Sequence, residues 1–281
     1  MRPKSKKTRH GFDLLVKFLS SIAALIGIIF LVWIIFEVAA RGVKALDWNF
    51  FVAPPTPPGT EGGGVANAIL GTLAMLILAS LIGVPTGIFA GVYLAEFGDN
   101  RFGEAVRFAS KVMMGIPSII VGLFVYALLV LSTGHFSGFA GALALAIIML
   151  PIIARTTEDM LALVPNALRE SALALGSPGW KMTLAIVFRA ARSGLITGVL
   201  LAVARVSGET APLLFTALNS PFWPKSLNQP TANLTVTIFN YAMSPYRDWQ
   251  QIAWGASLLI MAAVLTLNIF MRIVLRERKK K

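Results

Sequence analysis

The 281-residue chain has no cysteine. That excludes disulfide staples, thiolate metal sites and a thiol nucleophile together. Its two histidines are His10, in the N-terminal tail, and His135, in a short loop, so no His-rich metal site is expected. Charge is scarce, with Asp, Glu, Lys and Arg making up 14% of residues. No G-x-x-x-x-G-K-[ST] run occurs, so ATP is not expected to bind here through a P-loop. H-E-x-x-H and G-x-S-x-G are missing too, which leaves no support for a membrane protease or esterase. The first apolar run is too long for a signal-peptide core and no A-x-A-like cleavage site follows it. It is expected to be retained as an anchor.

What the chain does have is apolar length. Hydrophobic residues make up 56% of it and its mean hydropathy is +0.74, outside the soluble globular range and typical of a membrane protein. The net charge of +12 comes from basic residues that flank apolar spans rather than forming one face, so nucleic acid is not an expected partner.

A crossing helix needs about 20 apolar residues. Six stretches qualify, near 18–40, 67–95, 112–132, 138–154, 182–218 and 251–271. Twenty Lys and Arg fall on the side of the two termini and four (Arg41, Lys44, Lys225, Arg247) on the other, with Arg205 between. The positive-inside rule then puts both termini in the cytoplasm. The expected layout is a basic tail over 1–17, an all-α, polytopic six-span domain over 18–275 and a basic tail over 276–281. Residues 41–66, containing APPTPPGTEGGG, read as an irregular external connection. Segment 219–250 is external as well, with NLTVTIFNYAMS as a short interfacial helix. No repeat relates one half to the other.

Gly83, Gly87 and Gly91 recur at a four-residue step, as do Gly194 and Gly198, which predicts close helix packing within the bundle. Pro85, Pro117 and Pro151 are expected to interrupt three spans. Glu158 and Asp159 are adjacent among basic neighbours and read as a solvated inner face.

The inner stretch LVPNALRESALALGSPGWKM (163–182) has helix punctuation. Pro165 can open a helix, Gly176 can close it at positive φ, and Ser177–Pro178 can cap the next. Leu168, Ala172 and Leu175 share a face, with Arg169 and Glu170 beside it. So short a helix is marginal alone and must pack on something, either the bilayer surface or a cytoplasmic partner.

Arg205 and Glu209 stand in the apolar run LLAVARVSGETAPLLFTAL. Arg205 lies thirteen residues beyond Arg192, about 20 Å up a helix. An Arg at such depth costs at least ~2.5 kcal/mol and faces a partner or a wet cavity. Two readings stay open. Either the pair is an ion pair that holds helices in register, or Arg205 lines a pore and meets an anion while Glu209 orients it. Ser207, Gly208 and Thr210 are small or polar, and Pro212 frees the Gly208 carbonyl, which makes 208–212 a gate or kink.

Glu170-Ser171-Ala172 followed by Gly176 and Ile186 resembles the EAA signature of ABC-importer permeases, with Ser171 for the usual Ala and Phe188-Arg189 where Leu-Pro often stands. YLAEF (93–97), GIPSI (115–119), ARVSGETAPLLFTAL (204–218) and MSPYRDWQQIAW (243–254) resemble the A-type permease subunits of high-affinity phosphate ABC importers, over most of the chain from 66 onward. The resemblance implies a non-catalytic six-span permease of the cytoplasmic (inner) membrane. It makes 163–176 a coupling helix that meets an ATPase through Arg169, Glu170, Ala172, Leu175 and Gly176. It puts Arg205, Glu209, Ser207 and Thr210 on the substrate pathway. No cofactor is expected in this chain, because ATP and Mg would sit on two cytoplasmic ATPase partners. A second, homologous permease, an extracytoplasmic phosphate-binding protein and membrane lipid complete the expected partners. A permease for sulfate or phosphonate would share the architecture, and a secondary transporter is a more distant alternative.

Overall fold

In lipid, a backbone must satisfy its own polar groups, so long apolar runs become helices. The computed structural model describes residues 6–60 and 62–277. Residues 1–5 and 278–281, the outer parts of the two expected basic tails, lie outside the described residues. In chain order the helices are α1 (Lys6–Gly42), α2 (Trp48–Val52), α3 (Ala66–Phe97), α4 (Arg101–Gly115), α5 (Ser118–Val125) and α6 (Leu131–Thr133). They continue with α7 (Gly138–Ala162), α8 (Asn166–Ala174), α9 (Gly179–Met182), α10 (Phe188–Ser207), α11 (Ala211–Leu214), α12 (Leu234–Ala242) and α13 (Arg247–Glu277). Wide π turns at Tyr126–Val130 and Thr183–Val187 join α5 to α6 and α9 to α10. The result is all-α among the described residues, as expected.

Five segments are long and apolar enough to cross a membrane: Phe12–Ala45, Ala66–Phe97, Gly138–Ala162, Gly179–Ser207 and Arg247–Phe270. A sixth requires Arg101–Gly115 and Ser118–Thr133 together, and these are bent by 103°. The expected third span, 112–132, is therefore corrected. Its first residues belong to α4, and the crossing part begins at Ser118. The cause is Pro117, which holds Ile116 extended (φ −72°, ψ 132°) and ends α4. Pro85 and Pro151, by contrast, sit inside continuous helices and break neither. The fifth expected span, 182–218, ends as a helix at Ser207, and the rest is a separate turn.

The bundle is built around α7. Met75 and Ala79 of α3, Leu145, Met149 and Ile153 of α7, and Ala202 and Val206 of α10 form one buried cluster. Small residues set the spacing. A methyl group at Gly87 would come 2.8 Å from Ile153 Cβ, and one at Gly91 would come 2.5 Å from the Ala154 carbonyl. Gly198 is equally tight against Thr156, also on α7. The glycine steps thus serve packing within the bundle, as expected. α1 differs, since its side chains from Phe12 to Phe36 are exposed. It meets α13 near its end, where Gly42 abuts Leu258 and Arg41 lies 4.9 Å over the Trp254 ring.

The connection 41–66 is more ordered than expected. Asp47 caps α2 by accepting from the Phe50 N–H (2.7 Å), and Phe50 is buried against Val65, Tyr241 and Ile252. Nor does α12 lie on the surface as an interfacial helix. Leu234, Thr235, Val236, Thr237 and Tyr241 are buried, and the Leu234 N–H donates to Thr72 Oγ1 on α3 (2.9 Å).

Two arginines lock the end of the bundle that carries α4 and α8. Arg107 donates to Glu158 through Nε and to the Gly98 and Leu94 carbonyls through Nη1 and Nη2 (2.8 Å each), so it caps α3 while reaching α7. Arg169 pairs with Glu96 at the end of α3 and donates to the Leu161 carbonyl (2.8 Å), so it caps α7 while reaching α3. Glu158 is consequently buried and ion-paired, and the expected solvated face is corrected. Asp159 alone stays at the surface, paired with Arg155 at 3.0 Å. The segments α3–α4–α5 and α7–α8–α9 thus share one arrangement: a long helix, a short helix across its end and a return. This is a repeat that the amino-acid pattern does not announce.

Candidate functional site

α10 carries Arg205 in its last turn and stops at Ser207, where Gly208 adopts φ −96°, ψ 2°. Glu209 therefore lies beyond the helix and does not stack on Arg205 one turn above it. The two form no ion pair, and neither side chain has a hydrogen-bond partner among the described residues. Both instead line a cavity of about 190 Å³. Its other walls are Met113 and Met114 at the end of α4, Ile116 and Pro117 at the bend, Ser118 and Val121 of α5, and Ile148 and Ile152 of α7. Arg205 is exposed and Glu209 half-buried. The ion-pair reading is thereby removed, and a guanidinium facing an open space is what remains.

The segment after Glu209 is firmly placed. Its N–H donates to the Val206 carbonyl (3.1 Å), and its own carbonyl accepts from Thr235 Oγ1 (2.9 Å). Pro212 sits in the first turn of α11 and starts a helix rather than kinking one, and Gly122 of α5 packs directly on it. The other two expected pathway residues do not line the cavity. Ser207 donates back to the Ala204 carbonyl (2.7 Å), and Thr210 is the N-terminal neighbour of α11. Conversely, Met113, Met114, Ile116 and Ser118 line the cavity without having been singled out. The available signal was Pro117 within GIPSI, because a helix broken inside an apolar run exposes backbone and makes room.

At the other end of α10, α8 is shorter than the expected 163–176. It runs Asn166–Ala174 with Pro165 before its first turn. Gly176 has φ +80°, and two bonds close the end: Ser177 N–H to the Ala172 carbonyl (3.1 Å) and Gly176 N–H to the Leu173 carbonyl (2.9 Å). This is the paired 6→1 and 5→2 ending that a left-handed residue allows. Ser177 does not cap α9, whose leading residue is Pro178. The expected docking residues divide into two groups. Ala172 is buried against Leu161, Val164, Met182 and Val187. Arg169 is the clamp described above, with its side chain 16% exposed. Glu170, Leu175 and Gly176 face outward, Leu175 being 88% exposed.

Residues 83–280 match the family described as the binding-protein-dependent transport system inner membrane component. The chain belongs to this family. Among its relatives, the phosphate transport system permease protein PstA of Yersinia pestis is 47% identical over 279 residues, covering 99% of this chain and 95% of that one. The PstA protein of Haemophilus influenzae is 50% identical over 262 residues, covering 93% of each. Solved permeases share the fold at lower identity. A bacterial alginate ABC transporter, in complex with an alginate-bound periplasmic protein, superimposes with TM-score 0.67 at 17% identity over 98% of both chains. The inward-facing MetNI methionine ABC transporter gives TM-score 0.63 at 18% identity, over 76% of this chain and 95% of that one. As a permease of this family, the chain places a broken helix, a cavity and a short outward helix in one subunit.

Proposed function

We infer that the chain is the transmembrane permease subunit of an ATP-driven importer and forms part of the pathway for inorganic phosphate across the inner membrane. The substrate rests on relatives close to half identical over nearly the whole length, which are named as phosphate permeases. The observation that carries the site is Arg205, exposed in a cavity and ion-paired with no carboxylate among the described residues. A guanidinium presents a planar fork of donors that matches an O–P–O edge and keeps its charge at any working pH.

The remaining parts of the reading follow from family membership. Energy comes from two cytoplasmic ATPases that bind ATP and Mg, and they dock on the outward face of α8 at Glu170, Leu175 and Gly176. Ala172 and Arg169 contribute by holding α8 in place. A second, homologous permease faces the Arg205 cavity, and an extracytoplasmic binding protein delivers phosphate. The termini and α8 lie on the cytoplasmic side, following the distribution of Lys and Arg.

The test is Arg205→Ala in the assembled transporter. Membrane insertion and recovery with the ATPase subunits stay at wild-type level, while ATP-dependent phosphate uptake into proteoliposomes is lost. Wild-type uptake by the assembled variant removes Arg205 from the pathway.

A further inference from the structure

The cavity beside Arg205 holds two charges of opposite sign, and one of them does not suit an anion. Arg205 brings five N–H donors and no acceptor. α5 begins at Ser118 on the same wall, so the positive end of a helix opens on the cavity as well. Both favour an anion. Glu209 lines the same space, and an ionised carboxylate accepts hydrogen bonds but donates none. Its position is not that of a loose loop. Its carbonyl is fixed by Thr235 Oγ1, which is itself 3.0 Å from Asn233 Oδ1. Nor is the carboxylate neutralised, since it pairs with no Lys or Arg among the described residues.

A carboxylate on an anion pathway repels every anion that reaches it, unless the anion brings a proton to share. Phosphate near neutral pH carries at least one P–OH group. Sulfate, of the same shape and size, carries none. We propose that Glu209 determines specificity in this pathway: it accepts a hydrogen bond from the P–OH of phosphate while Arg205 holds the deprotonated oxygens, and it turns away fully deprotonated oxyanions such as sulfate. This rests on the reading that Arg205 and Glu209 border the phosphate path. The cavity thereby acts as a filter for protonation state, separate from any selection made by a delivery protein. One charge-assisted hydrogen bond gained or missing corresponds to a preference of roughly 10- to 100-fold.

The experiment uses the complete complex, purified with its partner subunits. Inorganic phosphate is added, and phosphorus NMR line broadening is read with the Arg205→Ala complex as baseline. In the wild type the Arg205-dependent broadening survives an excess of sulfate. In Glu209→Gln, whose amide can donate as well as accept, equimolar sulfate removes about half of it. Glu209→Asp keeps the carboxylate and stays insensitive to sulfate, and Glu209→Ala supplies a second carboxylate-free variant should Glu209→Gln fail to assemble. Sulfate competing as well against wild type as against the carboxylate-free variants overturns the proposal. So does sulfate failing to compete in those variants while Arg205-dependent broadening persists. Equal broadening in wild type and Arg205→Ala removes the reading of Arg205 itself, and the proposal with it.

Discussion

Arg169, on the short helix α8, is paired with Glu96 at the end of α3, and its other arm caps the carbonyl of Leu161 on α7. The mirror contact joins Arg107 of α4 to Glu158 of α7, and the same sequence distance separates Glu96 from Arg107 as Glu158 from Arg169. The short helix that faces outward is thus fastened to both long helices through buried charge.

Removing one partner should cost more than removing both. Glu96→Gln leaves a guanidinium 16% exposed without its counter-charge, beside an Nε that already has no partner. Loss of about 3–5 kcal/mol is expected, whereas Glu96→Gln with Arg169→Met is milder than Glu96→Gln alone. Unfolding of the four members of this double-mutant cycle, measured in detergent, checks the order.

α8 should separate docking from folding. Leu175→Asp alters an outward side chain and is expected to leave thermal stability unchanged while ATPase subunits no longer co-purify. Ala172→Asp buries a charge among Leu161, Val164 and Met182 and should lower the yield of folded protein itself. If Leu175→Asp retains its ATPases, docking occurs elsewhere.

Glycine substitutions should differ by contact. Gly91→Leu drives a side chain into Ala154 and Thr157 of α7 and should cost about 1–3 kcal/mol or more, read as a fall in melting temperature. Gly115→Ala meets nothing within 4 Å and should leave melting unchanged.

Because the natural chain has no cysteine, single thiols report cleanly. Ser118→Cys, on the cavity wall, should react with a small water-soluble thiol reagent, while Ala202→Cys, fully buried, should not. On intact cells an impermeant maleimide should label Ser226→Cys and spare Ser171→Cys, both exposed side chains. The opposite labelling would invert the proposed orientation.

Hydropathy located the crossings apart from the breaks at Pro117 and Ser207, and the four-residue glycine steps marked faces of α3 and α10 that pack closely, because both are local properties of the chain. Gly176 likewise announced the end of α8, since a left-handed residue is needed there. What stayed hidden depends on partners distant in sequence. Glu158 looks solvated until Arg107 arrives from α4, and Arg169 looks like a surface residue until Glu96 meets it. Segment 233–244 has the pattern of a surface helix, yet a hydrogen bond from the Leu234 N–H to Thr72 and the cover of neighbouring helices bury one face of α12. The break after Ser207 set the geometry of Arg205 and Glu209. Spacing by four suggested a stacked Arg205–Glu209 pair, and that holds only while the helix continues.

α10 ends two residues after Arg205, so the negative end of the helix dipole lies right behind the guanidinium. Part of the cation's field is spent on its own helix. A cation offset in this way holds an anion more weakly, which suits the proposed conduit, since it must empty itself every cycle, and would ill suit a storage site.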